Sequence, residues 1–257
     1  MAKTTEDLRI RTSIGTLTAD TITVCGYVLV EDLIGSIDAG QLLFLQITGK
    51  LPTQSQARML NALIVSVAEH GMMPSVIAAR MTMLGAPESF QGALASGLLG
   101  VGDTFVGPSS NVGRMLQDET ETTGTLADRA SGVVEEYTRR RQRIPGLGHP
   151  HHTIDPRAER LLALQKELGI DDGYTKLMLK IHEVAVAKRG SHLTFNAVAA
   201  VGAIASDLGF DWRAIRGIGL VARSIGLVGH ILEEMRTPSA RTMWELVEER
   251  TDYTDPE

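Results

Sequence analysis

The 257 residues include a single cysteine, Cys25, so no disulfide can form within the chain. A lone thiol fits a reducing compartment, where disulfides do not persist. An apolar signal core is missing from the N-terminus, which reads Met-Ala-Lys-Thr-Thr-Glu-Asp. Long hydrophobic runs are scarce as well. The longest, 217–232, is interrupted by Arg223 and His230 and looks too short to cross a bilayer comfortably. There is no basic excess: the net charge is −6, which argues against general binding to nucleic acid. Alternation of strands and helices is absent, which excludes a Rossmann sheet or an α/β barrel. The glycines of Gly97-Leu98-Leu99-Gly100-Val101-Gly102 have the wrong spacing for a dinucleotide fingerprint and close a helical run. Internal repeats and low-complexity tracts are also lacking. What remains is an ordinary globular composition, 43% hydrophobic and 22% charged, expected in the cytoplasm. Its length suits one large domain, or a large and a small one, with ample core.

Helical periodicity fills most of the chain. Segment 53–69 carries apolar residues at Ala57, Leu60, Leu63, Ile64 and Val67, the stripe of one helix face. Segments 126–141, 156–168 and 174–188 repeat the pattern, and Gly169 is a natural end for the second of these. Segments 195–208 and 214–232 are apolar around most of the helix and rich in Ala and Gly, so both are expected to be buried on all sides. Strand alternation is confined to 10–30, at 16–18 and 21–24. The Ser/Thr/Gly-rich stretch 102–125 reads as a loop or hinge.

The most informative stretch is 144–157, Ile-Pro-Gly-Leu-Gly-His-Pro-His-His-Thr-Ile-Asp-Pro-Arg. Gly146 and Gly148 allow backbone to approach a ligand closely. His149 sets a titratable ring on that turn. Pro156 opens a helix, and Arg157 follows with a planar fork suited to a carboxylate. Arg139, Arg140, Arg141 and Arg143 lie just upstream, either as a solvated helix end or as a landing place for a phosphorylated cofactor. The imidazoles of His149, His151 and His152 have no Cys or carboxylate at ligand spacing, so no metal is expected. Arg223 stands inside an apolar helix and requires an anion, from a side chain or from a ligand. His70 ends a buried-looking helix, and Arg241 reads by default as a surface residue.

Taken in order, Glu-His-Gly at 69–71, Ser-Gly-Leu-Leu-Gly-Val-Gly-Asp at 96–103, Gly-Leu-Gly-His…Asp-Pro-Arg at 146–157 and Ala-Arg-Ser-Ile-Gly-Leu-Val-Gly-His at 222–230 resemble the citrate synthase superfamily. Within it the chain is most similar to the citryl-CoA lyases, free-standing or as the lyase module of ATP-citrate lyase. The resemblance covers roughly 31–245. It implies an all-α, multi-helix bundle with a large and a small domain, assembled as a homodimer or higher even oligomer. The implied division is an N-terminal segment 1–30, a large domain of 31–123 and 211–257, and a small domain of 124–210. It further implies a coenzyme A thioester and a polycarboxylate as small-molecule partners, with neither nucleic acid nor membrane involved. His149 matches the histidine that trades a proton with the hydroxyl or carbonyl oxygen. His70 matches a substrate-binding histidine, with Glu69 in place of the usual Asp. Arg157 and Arg223 match carboxylate-holding arginines, Arg241 matches the arginine supplied by the second subunit, and the Ile144, Gly146, Leu147 and Gly148 backbone matches the coenzyme A loop.

One departure stands out. The family carries Asn-Val-Asp at the start of a late helix, and that Asp works on the acetyl carbon. Here Asn196 matches, but Val198 occupies the Asp position, and a valine moves no proton. Three readings follow: a lyase using another acid (Asp103, Glu233, His192 or water), a lyase for a different acyl-CoA, or a degenerate member that binds a polycarboxylate or CoA thioester without turnover.

Overall fold

A computed structural model describes residues 10–119, 124–148, 155–189 and 193–256. His149, His151, His152 and His192 therefore lie outside the described residues. The chain divides into two compact units, 1–61 and 62–257. In the first, strands β1 (Gly15–Leu17), β2 (Ile22–Val24) and β3 (Tyr27–Val28) form an antiparallel sheet in sequence order, in the region where alternation predicts strands. A π-helical turn, Leu29–Leu33, leads to α1 (Ala39–Thr48). Asp38 caps α1 by accepting the Gln41 N–H at 2.8 Å while the Gln41 side chain accepts the Asp38 N–H at 2.9 Å, and Gly49 ends it at φ 74°.

Helix α2 (Gln54–Ala68) runs from the first unit into the second, which is otherwise built from α3 (Pro74–Gly85), α4 (Phe90–Leu99), α5 (Gly107–Asp118), α6 (Leu126–Arg139), α7 (Pro156–Glu167), α8 (Gly173–Arg189), α9 (Ala197–Asp207), α10 (Trp212–Arg236) and α11 (Ala240–Glu248). The all-α expectation holds, with the small sheet as its one supplement among the described residues. Two apolar clusters anchor the second unit. One joins α3, α4 and α10 through Val76, Ala79, Met83, Ala93, Leu227 and Ile231. The other joins α5, α6, α8 and α9, with Ile144 at its edge.

Helix α9 is the hub. Ala197 and every residue from Ala199 to Ser206 are buried, as its all-round apolar sequence predicts. The expectation of a loop at 102–125 is corrected: a π-helical turn, Gly102–Val106, continues into α5. Ser and Gly disguised a helix whose buried side is Val112, Met115 and Leu116. Its glycines serve packing, because a Cβ on Gly113 would stand 2.5 Å from Ile215, and one on Gly202 of α9 would stand 2.6 Å from the Ser109 carbonyl. Gln117 locks the arrangement, donating to Ser206 Oγ and the Phe210 carbonyl, both at 2.9 Å, and accepting the Trp212 N–H at 3.0 Å.

Helix α10 corrects a second expectation. It is 25 residues long, and by length and composition alone it could cross a membrane. It packs on α3, α4 and α5, and it is buried on one side only. Val221, Ile225, Val228, Leu232 and Met235 form an exposed stripe at i, i+4, i+7, i+11 and i+14. Sequence periodicity missed this because both faces are apolar.

Candidate active site

The loop that opens the site is held by the segment before α9. Gly148 donates its N–H to the Thr194 carbonyl at 2.7 Å, the Asn196 N–H reaches the Gly146 carbonyl at 3.2 Å, and Leu147 bridges Phe195. Asn196 does two jobs. Its Oδ1 caps α9 at the Ala199 N–H, 3.1 Å away, and its Nδ2 donates to the Gly148 carbonyl at 2.7 Å. The residue preceding His149 is thereby fixed to the start of α9. Gly146, at φ 82°, is needed for a reason the sequence does not reveal. A Cβ there would meet the Cβ of Ala199 at 2.7 Å, so its smallness serves helix packing. Gly148, at φ 91°, has open space where a Cβ would be. The Ile144 side chain is buried and that of Leu147 packs on the cluster, which leaves backbone as what this loop can offer a ligand.

Asp155 is fully buried and caps α7 by accepting the Arg157 N–H at 3.1 Å. It also receives Nε and Nη2 of the same arginine at 3.0 and 2.9 Å, and the Ala197 N–H at 2.8 Å. Burial alone would raise this carboxyl, but the bonds from Arg157 and Ala197, with the charge of Arg157, outweigh it and hold it below its ordinary value. Arg157 is therefore aimed by a carboxylate two residues away, which is itself tied to α9.

Arg223 lies on the face of α10 turned toward the end of α2. It is 6% exposed, and its Nε and Nη1 have no hydrogen-bond partner among the described residues. Burial pushes its guanidinium below the ordinary value; the charge of Glu69 opposes this, and that of Arg157 reinforces it. Arg157 and Glu69 are thus each within electrostatic reach of Arg223. The unused donors of Arg223 lie near one like charge, Arg157, and one opposite charge, Glu69.

His70 adjoins Glu69 and is exposed, which corrects the expectation that it ends a buried helix. Arg241 sits on the exposed side of α11, its Cζ 5.8 Å from the Trp244 ring centre. Of the acids weighed as substitutes for the missing Asp, Asp103 pairs with Arg216 and Glu233 pairs with Arg80. Val198 stands in the first turn of α9, packed against the apolar cluster. Among the described residues, no cluster of His, Cys, Asp and Glu is arranged to hold a metal.

Sequence reasoning missed the polar core behind the site. Arg80 of α3, 2% exposed, donates Nη1 to Glu234 at 2.9 Å and to Ser239 Oγ at 3.1 Å, and its Nη2 meets Glu233 and, at 2.8 Å, Nδ1 of His230. Glu234 in turn accepts the N–H groups of Ser239 and Ala240, both at 2.9 Å, where α11 begins. Burial would raise Glu234, yet the Ala240 and Ser239 donors and Arg80 bring it down to about 2. An arginine in an otherwise apolar helix was the available signal, as it was for Arg223.

The arrangement is that of an all-helical protein in which a glycine-jointed loop and the Asp155–Arg157 pair are both tied to the start of α9. The profile for "Citrate synthase, C-terminal domain" matches residues 30–243, and the chain belongs to the citrate synthase family. It is 32% identical to citryl-CoA lyase from Hydrogenobacter thermophilus, whose structure it matches at TM-score 0.88 over 96% of this chain and 95% of that one. ATP-citrate synthase beta chain protein 1 of Arabidopsis thaliana is 27% identical over 209 residues, 73% of this chain and 33% of the relative. The chain therefore spans about a third of the length of that plant protein. A citrate synthase of Deinococcus radiodurans is 28% identical over 76% of this chain and 52% of its own.

Proposed function

We propose that the protein cleaves or forms a carbon–carbon bond in the CoA thioester of a hydroxy-polycarboxylic acid, as in the conversion of citryl-CoA to oxaloacetate and acetyl-CoA. The observation that carries this reading is the buried guanidinium of Arg223, whose Nε and Nη1 have no partner among the described residues, within reach of the charge of Arg157. An unpaired buried cation is expensive, and a ligand carboxylate is the partner it lacks. In this reading Arg157, Arg223 and His70 hold the carboxylates, and Arg241 joins them from a second subunit. His149 takes the hydroxyl proton. The C–O bond becomes a carbonyl as the C–C bond breaks, and the electron pair leaves with the thioester as an enolate that must then be protonated. The backbone of 144–148 receives coenzyme A, with the exposed Arg141 and Arg143 close by for its phosphates. A homodimer is supported by the exposed apolar stripe of α10, which a second copy would cover. The division into a large domain (31–123, 211–257) and a small one (124–210) remains part of the proposal.

Val198 favours a second reading, in which the substrate is a different acyl-CoA or turnover is lost. With apolar packing where relatives are expected to place a carboxylic acid, citryl-CoA turnover should fall by about 10²–10⁴-fold, the usual worth of a general acid–base group. The test is an assay of citryl-CoA, of oxaloacetate with acetyl-CoA, and of a panel of other hydroxyacyl-CoA thioesters, run on the wild type and on Val198→Asp. Slow citryl-CoA cleavage accelerated by Val198→Asp supports the lyase. Binding of citrate and CoA without turnover of any thioester supports the non-catalytic reading, and neither binding nor turnover refutes both.

A further inference from the structure

Arg223, Gly226 and His230 follow one another at i, i+3 and i+7 on α10, and so share one face of the helix. The end of α2 lies against that face. A Cβ on Gly226 would stand 2.4 Å from the Ala68 carbonyl oxygen and 2.7 Å from Glu69 Oε2, so the missing side chain is the notch that seats Glu69. From this notch the Glu69 carboxylate has a cation one turn toward the helix start, Arg223, and an imidazole one turn toward its end, His230. It bonds to the imidazole. His230 Nε2 is 3.1 Å from Glu69 Oε1, and the same oxygen accepts the N–H groups of His70 at 2.8 Å and Gly71 at 2.6 Å. Among the described residues no ion pair joins Glu69 to Arg223, although Arg223 feels its charge.

The choice is set from behind. Arg80 Nη2 lies 2.8 Å from His230 Nδ1, and a guanidinium nitrogen can only donate. The Nδ1 lone pair is therefore the acceptor, and the ring hydrogen sits on Nε2, directed at Glu69. Arg80 is itself fixed by Glu233, Glu234 and Ser239, so the ring cannot turn away without leaving a buried donor unmet.

We propose that Arg80 and His230 are positioning residues that hold Glu69 away from Arg223, so that the buried arginine stays open to a ligand carboxylate instead of being neutralised by its own neighbour. Without them the nearest carboxylate would close the receptor from within. The inference rests on Arg223 being a ligand site, as the lyase reading requires. It adds a reason for the Gly226 notch and for the Arg80–His230 pair, which that reading leaves unexplained.

The test uses the full-length protein carrying His230→Ala, Glu69→Gln, and both together. His230→Ala leaves Arg80 its two carboxylates, so the buried cation stays paired and the chain should fold. Crystal structures come first. In His230→Ala the Glu69 carboxylate should move to within hydrogen-bond distance of Arg223, a contact absent from the wild type; a Glu69 that stays in place overturns the proposal. Calorimetry with citrate supplies the second readout. His230→Ala should weaken citrate binding about tenfold or more, whereas in the Glu69→Gln background the same change should have an effect of about threefold at most, because the competing charge is gone. A merely structural histidine would cost the same in both backgrounds, and that additivity also refutes the proposal. If the wild type binds no citrate, the lyase reading fails on that ground, and the position of Glu69 in the two structures still decides whether His230 restrains it.

Discussion

Replacing Arg223 by methionine should make the protein more stable and less able to bind, and the two effects have separate sources. The methionine side chain is shorter than that of arginine but of similar volume, and it carries no charge. In the folded chain it would remove a guanidinium with two buried nitrogens, Nε and Nη1, that meet no described acceptor. Each unmet buried donor costs about 1–3 kcal/mol. Glu69, which attracts Arg223 from a distance, keeps its three other donors and loses little. Substituting a buried charge by apolar atoms of similar volume commonly gains about 1–4 kcal/mol. We therefore expect a net gain of about 1–3 kcal/mol, raising Tm by about 2–4 °C for each kcal/mol in a chain of this size. Both proteins must be compared at one protomer concentration, since association adds to apparent stability. Calorimetry with citrate should show the opposite sign. Loss of one partner of a buried charge pair costs about 2–5 kcal/mol of binding, so affinity should fall about 30-fold at the least. If Arg223→Met instead unfolds at a lower temperature than the wild type, Arg223 serves an internal ion pair and the ligand argument falls.

The buried pair Arg80–Glu234 behaves in the reverse way. Glu234→Gln removes one charge and loosens the start of α11, and should cost about 3–5 kcal/mol in urea denaturation. Because the folded state holds Glu234 near 2 against an ordinary value of 4.5, its contribution is complete above pH 4.5 and is lost as the pH falls from there toward 2; roughly 3 kcal/mol is at stake, and an acid titration of Tm in Glu234→Gln should be flatter over that window. Gly146→Ala should destabilise by about 2–4 kcal/mol, from the clash with Ala199 and from φ 82°, while Gly148→Ala pays only the backbone penalty of about 1 kcal/mol, as paired melting curves would show. Ile225→Glu, in the middle of the exposed stripe on α10, should convert a dimer into a monomer by light scattering; an unchanged mass would place any association elsewhere.

Local sequence determined a great deal. The helices of 53–69, 126–141, 156–168 and 174–188 were legible because an apolar stripe recurs at helical spacing in each, and Gly169 marks the end of one. The buried character of 195–208 was legible because it is apolar around most of the helix, and Arg223 declared itself as a charge out of place. What the sequence could not determine depends on which element lies opposite. Stretch 102–118 looked like a loop because its glycines and serines have poor intrinsic helix preference; close packing of α5 against α9 and α10 requires small residues such as Gly113 and holds the stretch helical. Gly146 read as room for a ligand, and the structure adds a second demand on it, the close packing of Ala199. Both faces of α10 are apolar, so periodicity had no means to tell the buried face from the exposed one. Glu69 and His230 are 161 positions apart, and Arg80 and Glu234 are 154 apart. No local pattern couples residues at such separations, and only the packing of α2, α3 and α10 makes them one network. The sequence alone thus decided which residues are polar in apolar company, and the tertiary structure decided which of them are satisfied by one another and which, like Arg223, keep buried donors without a partner among the described residues.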